Sequence, residues 1–398
     1  MINVLLIGDE LLEGFTSEKN VYIISNFLRA YKKQLLHKAL IVKDNKEEII
    51  KAFRLLLNEN PKVIITTGGI GPTEDDLTIE SISYALNLKL VKTSFETEIE
   101  KYKYVIDGFK LIKNPRGKAP AQVGYYNQTL IIILPGVPYE VEGLLYESEI
   151  GKILINEVDN SYEFLIVKTN GIYETKIRDI LLPYYDKLGF FGYLPRNDGV
   201  YLKFKGDKEK LDEIKNFIEN LLKDYIWGYN DDKIEVLLGD LLKRNNLKIS
   251  VAESFTGGKV SNLITSVPGS SNYFKGSIIA YNKDIKRNIL NVQTENIYSE
   301  DCVIEMAQNV KELFNSDIGI STSGVAGPDK DDNTDVGTCF FGISFKENLA
   351  FEYKFTGTRS AIIEKGAYFI LYKLYKYLLH NFQNDWLIFQ FFYFQAFL

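Results

Sequence analysis

Histidine and cysteine are nearly absent from this chain: His37 and His380 are the only imidazoles, and Cys302 and Cys339 the only thiols, among 398 residues. Two cysteines exclude a disulfide framework and a thiolate-rich zinc site. Neither histidine lies near a glycine-rich segment, which excludes a Ser-His-Asp hydrolase and a His-ligated zinc hydrolase, since each needs an imidazole beside its nucleophile or metal. Hydrolytic chemistry here must use lysine, tyrosine or carboxylates. Positive charge does not predominate, with 47 Lys and Arg against 53 Asp and Glu. A net charge of −6 gives no global attraction to nucleic acid or anionic lipid, so no nucleic-acid or membrane partner is expected. The opening MINVLLIGDELLEG lacks a basic flank and a small-residue cleavage site, so it reads as a first strand and predicts a cytoplasmic protein. The apolar tail Trp386–Leu398 is too short to span a bilayer as a helix; burial or a dimer contact is its expected use, with membrane contact the alternative.

A hydrophobic fraction of 45% with 25% charged residues is ordinary for a soluble globular chain, and the length predicts two or three domains. Residues 1–157 alternate apolar runs (4–8, 38–43, 62–69, 129–136) with helical patterns near 20–32, 46–58 and 78–87. This is the pattern of parallel βαβ units, which place ligands at the carboxyl ends of their strands. Residues 158–230 read as a small α+β module, with a helix near 173–187, an NDG hairpin turn at 197–199 and a helix near 207–223. A second α/β pattern fills 231–380. It has helices at 234–246, 299–314 and 360–379 and strands at 247–254, 276–282, 317–324 and 337–345, and the tail 381–398 follows.

Two groups of motifs carry chemistry. In the first domain, TTGGIGPTEDDLT (66–78) follows a strand directly. Gly68, Gly69 and Gly71 let the backbone turn sharply and present N–H groups to a phosphate beside a helix N-terminus. Glu74, Asp75 and Asp76 supply hard oxygen ligands for a divalent cation such as Mg, Mn or Co. GDELLEG (8–14), with Asp9 and Glu10, and LPGVPYE (134–140), with Gly136, end two further strands, and Thr73 completes the expected phosphate site. In the last domain, Ser254 ends a strand and opens the Thr256-Gly257-Gly258 turn, whose N–H groups can hold a phosphate or an oxyanion. Ser270 and Ser271 follow Pro268-Gly269 at another turn. Lys286, five residues after Tyr281, is the candidate base of the motif. A lysine of lowered pKa can deprotonate a serine, which gives a Ser-Lys amidase with no cofactor, and Tyr281 can relay the proton or bind the leaving group. Sequence does not choose between Ser254 and Ser271 as the nucleophile.

GDELLEG, TTGGIGPTEDDLT, the APA at 119–121 and LPGVPYE together resemble the amino-terminal molybdopterin-binding-like domain of the CinA family. VAESFTGG (251–258), VPGSSNYFKGSIIAYNKDIKR (267–287), STSGVAGP (321–328), VGT (336–338) and FTGTR (355–359) resemble its carboxy-terminal domain, and the middle segment its KH-like linker module. The resemblance implies a molybdopterin-binding-like α/β domain, a small α+β KH-like module and a C-terminal α/β CinA domain. It implies deamidation of nicotinamide mononucleotide in the last domain, for pyridine-nucleotide recycling. In the first it implies a metal-dependent ADP-ribose pyrophosphatase. It also implies a homodimer. A non-catalytic nucleotide-binding protein linked to competence or DNA damage is the rival reading. Carried onto this chain, the implied deamidase set is Ser254, Ser271, Tyr281 and Lys286, with Ser323 and Gly324 from the STSG turn and Arg359, whose planar fork suits a substrate phosphate. Phe255 stands where the family commonly has Cys, and Ile363 where a basic residue is frequent. KYKYV (101–105) stands in place of a Lys-Gln-Ala run.

Overall fold

The computed structural model describes residues 1–159, 163–189, 191–331 and 333–395, with side chains as far as Phe382; the aromatic tail from Trp386 therefore lies beyond the described side chains. The chain forms two compact units, Met1–Glu163 and Phe164–Leu398. Among the described residues no helix is long and apolar enough to cross a membrane.

In the first unit the strands Lys38–Val42, Ile2–Ile7, Val63–Thr67 and Thr129–Leu134 lie side by side in parallel. Ile2–Ile7, Val63–Thr67 and Thr129–Leu134 are buried at every position, as continuous apolar runs require when helices cover both faces. Helices Asn20–Lys32 and Pro138–Glu147 bury one face and Lys46–Leu57 and Thr78–Leu86 the other, giving two apolar cores. Further strands extend the expected parallel core. Ala121–Tyr126 and Lys110–Ile112 extend the sheet antiparallel, and Leu90–Lys92 pairs with Tyr104–Ile106. Three of these strands span only three residues, too few for a period to show.

The second unit opens with a sheet ordered Phe191–Arg196, Gly199–Gly206, Glu163–Thr169, Ile226–Tyr229. Its hairpin pairs Arg196 with Gly199. Gly199 has φ +135°, and a Cβ there would stand 1.8 Å from the Thr169 carbonyl oxygen, so glycine is required. The helix expected over 173–187 is broken into Glu174–Leu181, a 3₁₀ turn Leu182–Tyr184 and Tyr185–Leu188, because Pro183 supplies no N–H. Next comes a five-stranded sheet ordered Phe274–Ile279, Ile249–Glu253, Ile318–Gly324, Thr338–Ser344, Asn348–Lys354. The first three strands are parallel and the last two antiparallel. Helix Lys259–Thr265 follows the Thr256-Gly257-Gly258 turn, Asn348–Lys354 and the helix Lys283–Asn288 add to the expected elements, and the last helix runs Arg359–Gln395. The molecule is thus mixed α/β, with a central parallel strand, Ile249–Glu253, whose carboxyl end delivers Ser254.

Candidate active site

Glu253, the last residue of that strand, is fully buried. Its carboxylate accepts the N–H groups of Gly258, Val260 and Ser261 at 2.9, 3.1 and 2.9 Å and the Ser261 hydroxyl at 2.5 Å. These are the otherwise unsatisfied amides at the start of helix Lys259–Thr265, so the acid fixes the turn that follows Ser254. Gly257 and Gly258 take φ +56° and +95° within it. The Gly257 N–H donates to the Ser254 carbonyl, and the Ser254 N–H to the Thr322 carbonyl at 3.0 Å. The amides of Ser254, Gly257 and Gly258, expected from sequence to face a ligand, are therefore engaged within the protein. Those of Phe255 and Thr256 have no hydrogen-bond partner among the described residues.

Lys286 lies in the short helix Lys283–Asn288 and is 1% exposed. Its Nζ stands 2.9 Å from Ser254 Oγ and 2.7 Å from the Ala280 carbonyl oxygen, with the Tyr281 carbonyl at 3.5 Å. Burial lowers its pKa to about 8, partly countered by the Cys302 thiol and reinforced by the charge on Lys283. The same burial pushes Cys302 up to about 11, so it stays a thiol at neutral pH.

The remaining expected residues divide. Ser271 lies in the turn Ser270–Asn272, ahead of strand Phe274–Ile279, where Ile249 pairs with Phe274 and Glu253 with Ile279. It therefore sits at the amino end of the strands, roughly 15 Å of strand rise from Ser254. Tyr281 is 59% exposed, and its phenol oxygen accepts from Arg359 Nη2 at 2.6 Å, while Nη1 donates to the Gly327 carbonyl. This pair is an exposed guanidinium and phenol beside the strand end. Ser323 is fully buried and gives its hydroxyl to the Ile297 carbonyl at 2.6 Å. Its neighbour Thr322 reaches the turn instead, with Oγ1 2.7 Å from Thr256 Oγ1. Phe255 packs into the core against Phe341, and a Cβ at Gly366 would strike its ring. Ile363 offers no charge, but Lys365 donates to the Thr356 carbonyl at 2.7 Å and braces the FTGTR loop.

In the first unit the glycine turns and strand ends enclose a cavity of about 690 Å³. Glu10, Gly68, Gly69, Gly71, Asp75, Asp76 and Gly136 line it as expected. Gly68 has φ +100°, and a Cβ there would lie 2.0 Å from the Ile7 carbonyl oxygen. Asp9 and Thr73 are exposed and do not line it. Asp76 Oδ2 accepts the Thr73 N–H at 2.9 Å and its hydroxyl at 2.6 Å. The departing KYKYV run contributes Lys101, whose Nζ donates to the Thr73 and Asp76 carbonyls at 2.7 Å each, and Tyr102, which lines the cavity. Sequence reasoning missed Asp44, which lines the cavity and accepts the Asp9 N–H at 3.1 Å. Burial raises its pKa, as do the charges of Glu10, Asp9 and Asp76, against that backbone hydrogen bond. Its signal was its place at the end of strand Lys38–Val42, level with the Asp9 turn. Among the described residues no three histidine, cysteine or acid side chains come together as metal ligands.

Comparison with known proteins matches residues 231–378 to the family described as CinA C-terminal domain and residues 3–150 to that described as probable molybdopterin binding domain. A CinA-like protein of Thermotoga neapolitana is 34% identical over 403 residues, 94% of this chain and 97% of that protein. One of Flavobacterium psychrophilum is 33% identical over 419 residues, covering 96% and 99%. A crystal structure of a competence-damaged protein (CinA) superfamily member from Klebsiella pneumoniae is 27% identical, with a TM-score of 0.36, and covers 37% of this chain and 99% of that one.

Proposed function

The chain belongs to the CinA-like protein family, and from that membership and its buried lysine–serine pair we propose that its last domain is an amidohydrolase converting nicotinamide mononucleotide to nicotinate mononucleotide and ammonia. The observation that carries the reading is Lys286 Nζ at 2.9 Å from Ser254 Oγ, with a pKa of about 8 set by burial. An amine of that pKa is partly neutral near pH 7–8, and in the neutral form the same contact lets the hydroxyl donate to the amine. Ser254 Oγ passes its proton to Lys286 and bonds to the amide carbon. The N–H groups of Phe255 and Thr256 are the open donors for the resulting oxyanion. As the C–N bond breaks, Lys286 returns the proton to the departing ammonia, and water then hydrolyses the acyl-enzyme by the same base. Arg359, exposed and held by Tyr281 and Gly327, suits the substrate phosphate. Ser254 is favoured over Ser271 because only Ser254 meets the base within this chain.

Ammonia release from nicotinamide mononucleotide by the purified protein tests the reading, and EDTA should leave the rate unchanged. No ammonia release, with the nucleotide still bound, would favour the non-catalytic binding protein. A second reading concerns the first unit, whose cavity has the volume and glycine-turn walls of a nucleotide site. There we propose cleavage of ADP-ribose at its pyrophosphate, checked by assaying AMP formation. The described residues gather no cation site, so no step is assigned to a metal.

A further inference from the structure

We propose that Thr322 is a positioning residue for the nucleophile: with Thr256 it forms a buried hydroxyl pair that clamps the Ser254 backbone and keeps Oγ in reach of Lys286. The proposal rests on reading Ser254 as the nucleophile. Strand Ile318–Gly324 runs parallel to Ile249–Glu253 with Ser321 abreast of Ala252 and Thr322 abreast of Glu253. Side chains alternate across a strand, so Ser321 and Ser323 share one face and Thr322 takes the other. Ser321 donates to the Val303 carbonyl at 2.5 Å and Ser323 to that of Ile297, so both hydroxyls are committed to the segment around helix Glu300–Leu313. Thr322 alone of the three points to the nucleophile turn.

There it grips Ser254 twice. The Ser254 N–H is forked between the Thr322 carbonyl at 3.0 Å and Thr322 Oγ1 at 3.3 Å. Thr322 Oγ1 in turn shares a 2.7 Å hydrogen bond with Thr256 Oγ1, and both residues are buried, at 0% and 2% exposure. The Thr256 carbonyl accepts the Lys259 N–H at 2.9 Å, which ties the pair to the start of helix Lys259–Thr265. Lys286 is anchored separately, on the Ala280 carbonyl. The Glu253 carboxylate fixes the far end of the turn, at Gly258, Val260 and Ser261, whereas Thr322 Oγ1 is the side-chain group that meets the Ser254 N–H itself. Loosening the hydroxyl pair moves Oγ without altering the burial of the base.

Sulfonylation of Ser254 by phenylmethanesulfonyl fluoride reads this directly: Oγ bonds to sulfur, fluoride leaves, and the proton passes to Lys286. The rate is followed by intact mass with peptide mapping, beside a thermal melt. Thr322→Val, which keeps the shape and removes the hydroxyl, is expected to slow labelling roughly 10- to 100-fold, the scale of a small misplacement of a reacting group. Thr322→Ser should restore the rate to within about threefold, because it returns the hydroxyl and loses only a methyl. A Thr322→Val/Thr256→Val double variant should be no slower than the slower single, as for two halves of one hydrogen bond. Wild-type labelling by Thr322→Val, equal slowing by Thr322→Ser, or additive losses would each overturn the proposal. Should Thr322→Val not fold, Thr256→Val, on the turn, removes the same bond. Failure of the wild-type protein to label at Ser254 would sink the proposal as well. Normal labelling with no nicotinamide mononucleotide turnover would instead sink the substrate reading and leave this one standing.

Discussion

The two sites occupy the same place in two sheets and differ in how they treat charge. Each lies where parallel strands end and a glycine turn leads to a helix. At Ser254 the one titratable base is sealed from water, and the neighbouring acid, Glu253, is spent on four hydrogen bonds. In the first unit Glu10, Asp44, Asp75, Asp76 and Glu140 share the walls of one wide cavity. The lysine is pushed down in pKa by desolvation, while Asp44 is pushed up by desolvation and by its acidic neighbours. A sheet end therefore does not dictate chemistry. What differs is whether the charged groups are buried and hydrogen-bonded within the turn or gathered around an open cavity.

The sharpest way to break this contrast is at the nucleophile. Ser254→Ala should cost 10³-fold or more in nicotinamide mononucleotide hydrolysis, as removal of a covalent nucleophile does, whereas Ser271→Ala should cost under about tenfold. Equal losses would mean that the geometry within one chain is not the working geometry. Next is the base. Lys286→Arg keeps the charge but cannot deprotonate, so acylation should fall roughly 10²-fold or more.

Stability should move the other way. The folded pKa of Lys286, about 8, lies below its unfolded value, so the unfolded chain holds more protons between about pH 8 and 10.5, and stability rises with pH across that window. Below pH 8 the burial costs up to ~3 kcal/mol. Lys286→Met should therefore be inactive yet melt higher at pH 6–7, by ~1–3 kcal/mol in a denaturant titration. Single-turnover rates should climb about tenfold per unit from pH 6 toward a midpoint near 8 and then level off. A flat profile would remove Lys286 as the base.

Smaller effects belong to the first unit. Asp76→Ala removes the partner of the Thr73 N–H and hydroxyl and should cost ~1 kcal/mol, as loss of a capping acid does. It should lower ADP-ribose cleavage and leave deamidation untouched, and a joint loss in a folded protein would end the two-site division. Asp44→Asn should change stability least, within about ±0.5 kcal/mol at pH 7. A raised carboxyl gains stability as pH falls through its folded pKa, so any benefit of the amide should vanish toward pH 4.

Much of this was legible in the sequence. Continuous apolar runs located the buried parallel strands, the glycine motifs located their ends, and the scarcity of histidine left Lys286 as the candidate base. Other features were hidden because they depend on contacts across chain distance. The choice of Ser254 over Ser271 turns on which end of the sheet each occupies, and both serines look alike as turn residues. Ser323 was expected to face the site, but strand alternation gives that place to Thr322, a parity set by register with Ile249–Glu253. The turn amides looked available until Glu253 folded back on them. Local sequence determined the elements, the strand ends and the stock of reactive groups, because hydrophobic period and glycine conformation act over a few residues. Tertiary structure alone decided which hydroxyl meets the amine and how far that amine is desolvated, because distance and burial belong to the packed chain.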